Sequence, residues 1–405
     1  MDEEMSVTSE KEAESTASIA RLAAESGITR VTMLAWRDLD DPEAGGSELH
    51  AHRIATRWAA AGLDVELRTS MVPGAVMDVD RDGYHVVRRG GRYGVFPSAI
   101  AHGLRHRRRP GEALVEIWNG MPFFSPLWYR GPKVVFLHHV HGPMWQMSLP
   151  RFRAALGSAI EHRIAPPLYR WTSILTLSTS SEEEIVEKLH LPRKRVSVVP
   201  PGIEPTFHPG GSKSTNPSVV AVGRLVPVKQ FDKLIEALIA AKAAVPALTA
   251  TIIGEGYLRA DLEAQVAAAG ADSWLRLPGR VDDAALVDAY QSSWVVASTS
   301  LREGWGMTLT EAAACGTPAV ATDIAGHRDA VVNGASGLLV DEGAPFIDGL
   351  VAVLGNEDLR RALSAGALEN AARFTWDATA VETFRALAAV AMARAARKQG
   401  RPSSR

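Results

Sequence analysis

The sequence predicts an α/β protein built of two doubly wound, parallel-sheet domains with a cleft between them. Short β-branched runs alternate with helical patterns from Thr29 onward, a run of turn formers interrupts them, and the same alternation then restarts. A length of 405 residues suits two such domains. Hydrophobic residues at 46% and charged residues at 22% are ordinary for a soluble globular chain and exclude a disordered or fibrous one.

Residues 1–27 form an acidic tail or helix with Asp2, Glu3, Glu4, Glu10, Glu12 and Glu14, and lack the apolar centre of a signal peptide. The first domain covers 28–207. Arg30–Ala35 reads as a strand, Gly45-Gly46 as a loop, and Ser47 as the cap of a helix. Its apolar face is Ala51, Ile54, Ala55 and Trp58, and it stops at Gly62. Strands follow at Leu63–Arg68, Ala113–Ile117, Lys133–Leu137, Ser173–Leu177 and Val196–Val199, with helices near Pro97–His106, Phe152–Ile164 and Ser181–Leu189.

Residues 208–217 are all turn formers and read as the interdomain linker. The second domain, 218–376, opens with strand Ser218–Val222 and a helix carrying Phe231, Leu234, Ile235 and Leu238. Thr249–Ile253, a helix from Tyr257, and strands Trp274–Leu277, Trp294–Ala297, Pro318–Ala321 and Gly337–Val340 follow. An Ala-rich amphipathic helix over 377–398 closes the chain.

The formal net charge of −2 gives no electrostatic reason to start from nucleic acid. One cysteine, Cys315, excludes an internal disulfide and a cysteine-built zinc site, which fits a cytoplasmic protein. The best candidate for a membrane span, Val134–Pro150, holds three histidines and two prolines and is too short and too polar.

The most informative segment runs from Arg302 to Ala312. Gly304 and Gly306 let the backbone approach a ligand, and the amides of residues 306 to 309 then point out of a helix start, a site for phosphate or sugar oxygens. Glu311 is expected in the first turn, accepting hydrogen bonds from a vicinal diol, and Glu303 at the loop mouth. A bland reading of both acids as structural leaves the glycines without a purpose. In Gly223-Arg224-Leu225-Val226-Pro227-Val228-Lys229, Arg224 follows the first strand of the second domain, where α/β sheets bind ligands. With Lys229 it supplies two cations for a pyrophosphate, or else both are surface charges.

Gly45-Gly46-Ser47-Glu48 is a glycine turn at an equivalent strand end, weak by itself and without dinucleotide spacing. His138, His139 and His141 follow strand Lys133–Leu137. No acid or cysteine near them has metal-ligand spacing, so hydrogen bonding to a polar substrate, or a structural role, is the better reading. Asp78–Gly83 begins like a calcium loop but has Arg89 where a bidentate Glu is needed, and reads as a solvated hairpin turn. Arg105, Arg107, Arg108 and Arg109 read as an exposed helix end or, secondarily, as a contact with an anionic membrane surface.

These residues resemble the retaining glycosyltransferases of family 4. Glu303-Gly-Trp-Gly-Met-Thr-Leu-Thr-Glu311-Ala is similar to that family's signature of two glutamates. Val199-Pro-Pro-Gly-Ile203, Gly223-Arg224-Leu225 with Lys229, and Gly45-Gly46-Ser47-Glu48 resemble the family in the same order. Asn119-Gly-Met-Pro-Phe-Phe-Ser-Pro126 with the histidines resembles a bacterial branch. The resemblance covers residues 29–397.

It implies a GT-B fold, two Rossmann-like domains facing across a cleft, with the terminal helix packed back on the first. It implies that Glu311 holds the ribose diol, and that Glu303 contacts donor-sugar hydroxyls with the amides of Gly306, Met307, Thr308 and Leu309. Arg224 and Lys229 would bind the diphosphate and Gly46 would let its loop reach donor phosphate and acceptor. Arg280-Val281 would meet the base, and His139 would contact the sugar near the reacting carbon, with His138 and His141 as rivals for that place. Trp36, His138, His141 and Trp145 are the acceptor candidates.

The implied reaction moves a hexose-type sugar from a UDP- or GDP-linked donor to a hydroxyl of a glycan, lipid or small molecule. It retains the anomeric configuration and uses neither metal nor cofactor. An epimerase on the same fold, a nicotinamide-dependent dehydrogenase and a non-catalytic partner subunit are the rival readings. The missing glycine fingerprint counts against the dehydrogenase.

Overall fold

A computed structural model describes residues 2–105, 109–142, 144–341 and 343–399. The chain forms two units, Met1–Gly202 with Trp376–Arg405, and Ile203–Thr375.

The first unit holds β1 (Arg30–Leu34), β2 (Asp64–Thr69), β3 (Asp78–Arg81), β4 (Tyr84–Arg88), β5 (Glu112–Trp118), β6 (Lys133–Leu137), β7 (Ser173–Thr176) and β8 (Val196–Val198), in the order β3-β4-β2-β1-β5-β6-β7-β8. All neighbours are parallel except β3 and β4. That hairpin turns at Asp82 and Gly83, both at positive φ, so the turn expected over Asp78–Gly83 is confined to its last two residues, while Asp78–Arg81 is a strand that the sequence reading does not predict, as is β4. The central strands are buried on both faces, as Val31, Met33, Val115 and Val135 show, which is why they read as mostly apolar runs, with Thr32 and Glu116 as buried polar exceptions.

The closing helix, Trp376–Gln399, packs in this unit: Trp58 Nε1 donates to Ala380 O at 3.0 Å and Thr379 Oγ1 to Pro200 O at 2.8 Å. The N-terminal acidic segment is helical from Asp2 to Ser26 and lies against the closing helix, burying Ile19.

The second unit holds β9 (Ser218–Val222), β10 (Thr249–Ile253), β11 (Leu275–Gly279), β12 (Val295–Ser298), β13 (Ala319–Thr322) and β14 (Gly337–Val340), all parallel, in the order β11-β10-β9-β12-β13-β14. Helix Phe231–Ala244 buries Leu234, Ile235 and Leu238 against this sheet; a fully buried Leu or Ile contributes roughly 1.5–3 kcal/mol.

Residues 208–217 belong to this second unit and are not where the chain crosses between units; it crosses at Gly202–Ile203 and at Thr375–Trp376. The turn formers are pinned down: Ser214 N donates to Ser292 O at 2.8 Å, Gln291 Nε2 to His208 O at 2.8 Å, and Lys213 Nζ to Ser293 O at 2.8 Å. Composition identifies irregular backbone here, and those bonds decide that it is fixed. No described helix is long and apolar enough to cross a membrane.

Candidate functional site

The order of the second sheet reverses between β9 and β12. Loops leaving the carboxyl ends of two such strands diverge, and open α/β sheets take their ligands there. The loop after β9 carries Arg224 and Lys229; the loop after β12 carries Glu303 and leads into helix Met307–Ala314. The two loops are tied together, Leu301 N donating to Val228 O and Thr299 Oγ1 to Gln230 O, each at 2.8 Å.

Across this tie Lys229 Nζ pairs with Glu303 Oε1, which also accepts from Ser300 Oγ at 2.8 Å. Burial pushes the Glu303 carboxyl up, but the Lys229 ammonium, His327 and the hydrogen bonds from Lys229 and Ser300 outweigh it and hold the group below its ordinary value. Glu303 is therefore a carboxylate, ready to accept hydrogen bonds.

Two glycines make this loop possible. Gly306 heads the helix at φ 129°, and a Cβ there would stand 3.2 Å from His327 Cδ2. A Cβ on Gly326, at φ 88°, would fall 2.7 Å from Glu303 O and 2.8 Å from Trp305 N. Residues 303–306 can lie directly on the backbone before His327 only because both positions are bare.

The helix start leaves the amides of Met307 and Thr308 without intrahelical acceptors. The expected set is smaller than the sequence suggests, because Leu309 N and Thr310 N both turn back to Gly306 O, at 3.0 and 3.3 Å, and the Leu309 side chain is buried. Glu311 is also displaced from expectation: it stands fifth in the helix, beyond the first turn. Burial, with Glu204 and Asp283 adding to it, pushes its carboxyl up to about 7 despite a 3.0 Å hydrogen bond donated by Tyr290 Oη.

Arg224 is exposed on this edge. Its loop rests on residues 254–256, where a Cβ on Gly254 would come 1.9 Å from Gly223 O and one on Gly256 2.2 Å from Leu225 O. Gly254-Glu255-Gly256, which lacks dinucleotide spacing, thus serves backbone-to-backbone packing under the Arg224 loop. Arg280, exposed, and Val281, half-buried, follow β11 on the same carboxyl edge.

The first unit repeats the arrangement, its order reversing between β1 and β5. Ser47 is not the helix cap: the helix begins at Gly46, Gly45 precedes it, and Gly45 N donates back to Glu48 Oε2 at 2.8 Å. Ser47 Oγ instead accepts from Asn119 Nδ2 at 3.1 Å, linking the loops after β1 and β5. Trp36 donates from Nε1 to Arg92 O at 2.7 Å, with the guanidiniums of Arg37 and Arg92 over its ring at 5.0 and 5.2 Å.

The three histidines after β6 separate. His138 is buried, its Nε2 3.4 Å from His50 Nδ1, and desolvation holds it neutral well below the ordinary histidine value; it is a core residue, which removes it from the acceptor candidates. His139 and His141 are half-buried and stacked at 4.7 Å, and His141 lies 4.9 Å from Trp145.

Glu161 shapes this loop. Its buried carboxylate accepts from His141 N at 2.7 Å, Gly142 N at 3.0 Å and Trp145 Nε1 at 3.0 Å, and it sits in a widened helical turn, Ile160–Ile164. Sequence reasoning misses Glu161, Tyr290, Ser300 and His327. The position of His327 shortly after β13, at a carboxyl edge, is a signal that could have found it; the others become visible only through tertiary contacts. Of the cluster Arg105–Arg109, residues 106–108 lie outside the described residues.

Residues 44–207 match a family model described as Glycosyltransferase Family 4, and residues 203–369 one described as group 1 glycosyl transferases. The D-inositol 3-phosphate glycosyltransferase of Frankia alni is 32% identical over 382 residues, 84% of this chain and 93% of the relative. That of Thermobispora bispora is 29% identical over 392 residues, 84% and 90% respectively. Among solved structures, sucrose-phosphate synthase from Thermosynechococcus elongatus matches with TM-score 0.73 at 18% identity, over 92% of this chain and 99% of that one. WaaG, a glycosyltransferase involved in lipopolysaccharide biosynthesis, matches with TM-score 0.69 at 17% identity, over 87% and 98%. The structural likenesses establish the GT-B class of fold.

Proposed function

The chain belongs to glycosyltransferase family 4, and from that premise we propose that it moves a hexose-type sugar from a UDP- or GDP-linked donor to an acceptor hydroxyl with retention of configuration. The observation that carries this reading is the Lys229–Glu303 pair beside a glycine-fronted helix start, at the switch point of the second sheet. In this reading Arg224 and Lys229 neutralise the diphosphate as it leaves, and Glu303 with the amides at the helix start orients sugar hydroxyls. Charges placed before the reaction are worth most in such a site, where the transition state resembles an oxocarbenium ion. Glu311 takes the ribose diol, Arg280 and Val281 meet the base, and the departing phosphate oxygen accepts the acceptor's proton on the same face. No protein base and no metal is called on, since the two cations supply the charge.

Acceptor binding falls to the first unit, through Trp36, His141 and Trp145, with Gly46 giving close approach and His139 as a further hydrogen-bonding ring. The relatives are named for D-inositol 3-phosphate, so a cyclitol phosphate is the first acceptor to test. Arg37 and Arg92, held over Trp36, both pair with Glu43, and a phosphate arriving there would exchange with that carboxylate. Incubation with UDP- and GDP-hexoses and that acceptor, followed by NMR of the anomeric signals, tests the proposal. A glycoside with the donor's configuration supports it. An inverted product, or an epimerised donor formed without acceptor, contradicts it.

A further inference from the structure

From Ile117 to Ser181 the only acidic residue is Glu161, whose buried carboxylate accepts from the His141 and Gly142 amides and the Trp145 indole and lies 3.6 Å from His162 Nδ1. The same stretch carries Arg130, Lys133, Arg151, Arg153, Arg163 and Arg170 and is basic in a chain of net charge −2, while Glu182, Glu183, Glu184 and Glu187 follow on helix Thr179–Leu189, which packs on Ile160–Ile164. Within it, helix Met144–Ser148 and helix Arg151–Ala159, which runs on into Ile160–Ile164, border a groove of about 830 Å³. Arg151, His162 and Arg163 line that groove together with Leu149, Ala154 and Ala155.

Phe152 is 82% exposed and Leu156, one turn later, 51% exposed; Met147 and Ile164 are also open to solvent. Phe152 stands between Arg151 and Arg153, and among the described residues neither these nor Arg163 forms an ion pair.

Scattered exposed apolar residues need no explanation. An exposed aromatic set between arginines, one turn from an exposed leucine and beside a cationic groove, is a different case. A surface that satisfies all of them offers phosphates at one depth and hydrocarbon just below, because arginine stems lie along apolar matter while their heads stay at the phosphate level. We propose that the face Arg151–Ile164 docks this protein on an anionic lipid bilayer, with Phe152 and Leu156 at the acyl boundary and a lipid phosphate against Arg151, His162 and Arg163.

The test is co-sedimentation of the full chain with phosphatidylcholine vesicles, with and without phosphatidylglycerol, at low and high salt. The protein should bind the anionic vesicles only, and high salt should release it. F152S/L156S should weaken binding at least about ten-fold, and R151Q, R153Q and R163Q about five-fold each. Melting temperature and nucleotide response should be unchanged in all of them, which separates this result from the donor-site reading. No binding to anionic vesicles, equal binding to neutral ones, or variants that sediment like the wild type would overturn the proposal. Equal displacement from the vesicles by inorganic phosphate at the same charge concentration would overturn it too.

Discussion

Lys229 and Glu303 form an ion pair across the point where the strand order of the second sheet reverses. The lysine comes from the loop after β9 and the glutamate from the loop after β12, so the pair adds a charged tie to the hydrogen bonds that join the two loops. Their side chains are 20% and 18% exposed, shielded enough that removing one partner strands the other. In the proposed reaction an arriving diphosphate finds the ammonium already positioned and its loop already fixed.

The pair should therefore show energetic coupling in the free protein. A double-mutant cycle of Lys229→Met and Glu303→Gln, read by urea unfolding, is expected to give about 1–2 kcal/mol of interaction. Additivity of the two changes would mean that the contact does not organise the loops. Each single variant should also lower turnover by at least about a hundred-fold.

Glu311 predicts a pH dependence of a definite sign. Its carboxyl titrates near 7 in the folded protein against an ordinary value of 4.5. Between those values the folded chain holds a proton that the unfolded chain has lost. This contribution to stability is complete below pH 4.5 and disappears as pH rises through 7. The melting temperature of the wild type, relative to Glu311→Gln, should fall from pH 5 to pH 8. A constant difference would contradict the assignment.

The buried pair His50 and His138 has the opposite sign. Desolvation lowers His50 to about 3 and His138 well below 6.5, so the unfolded chain takes up protons first as pH drops. Stability is then lost as pH falls below 6.5, by about 2 kcal/mol at pH 5 for His50. Urea midpoints at pH 7 and pH 5 should differ less in His50→Gln than in the wild type. An equal or larger difference would show that these rings are not the acid-sensitive groups.

The sequence makes the repeated α/β alternation legible because buried parallel strands leave apolar runs whose shortness and β-branched content set them apart from helices; Lys133–Leu137 and Ser218–Val222 are found to the residue. The hairpin β3–β4 escapes because the pattern of β3 is half polar, with Asp78 and Asp80 on an exposed edge. Residues 208–217 look like a linker because turn formers do not reveal the carbonyls that hold them. The glutamates and cations of the second unit are legible from glycine spacing and strand ends. His327 could have been found from its place after β13, whereas Glu161 could not, because a widened helical turn acquires meaning only when a distant loop lies on it.

Glu161 should act through the loop it holds. Glu161→Ala removes the acceptor for two backbone amides and the Trp145 indole, which should cost about 2–4 kcal/mol of stability. Glu161→Gln retains part of that acceptor. If Trp145 serves acceptor binding, the Gln variant should raise KM for the acceptor with little change in KM for the donor. An unchanged acceptor KM, or an equal rise in both, would contradict that place for the loop.

The proposed reaction requires the carboxyl edge of the second sheet to grip a nucleoside diphosphate through Arg224, Lys229 and the start of helix Met307–Ala314. Thermal shift with UDP, GDP, ADP and dTDP tests it most directly, set beside Arg224→Ala, an exposed position whose loss should leave the unliganded protein's stability within about 0.5 kcal/mol. One diphosphate is expected to raise the melting temperature clearly in the wild type and not in the variant. Failure of all four to move it, or an equal rise in Arg224→Ala, would contradict the account.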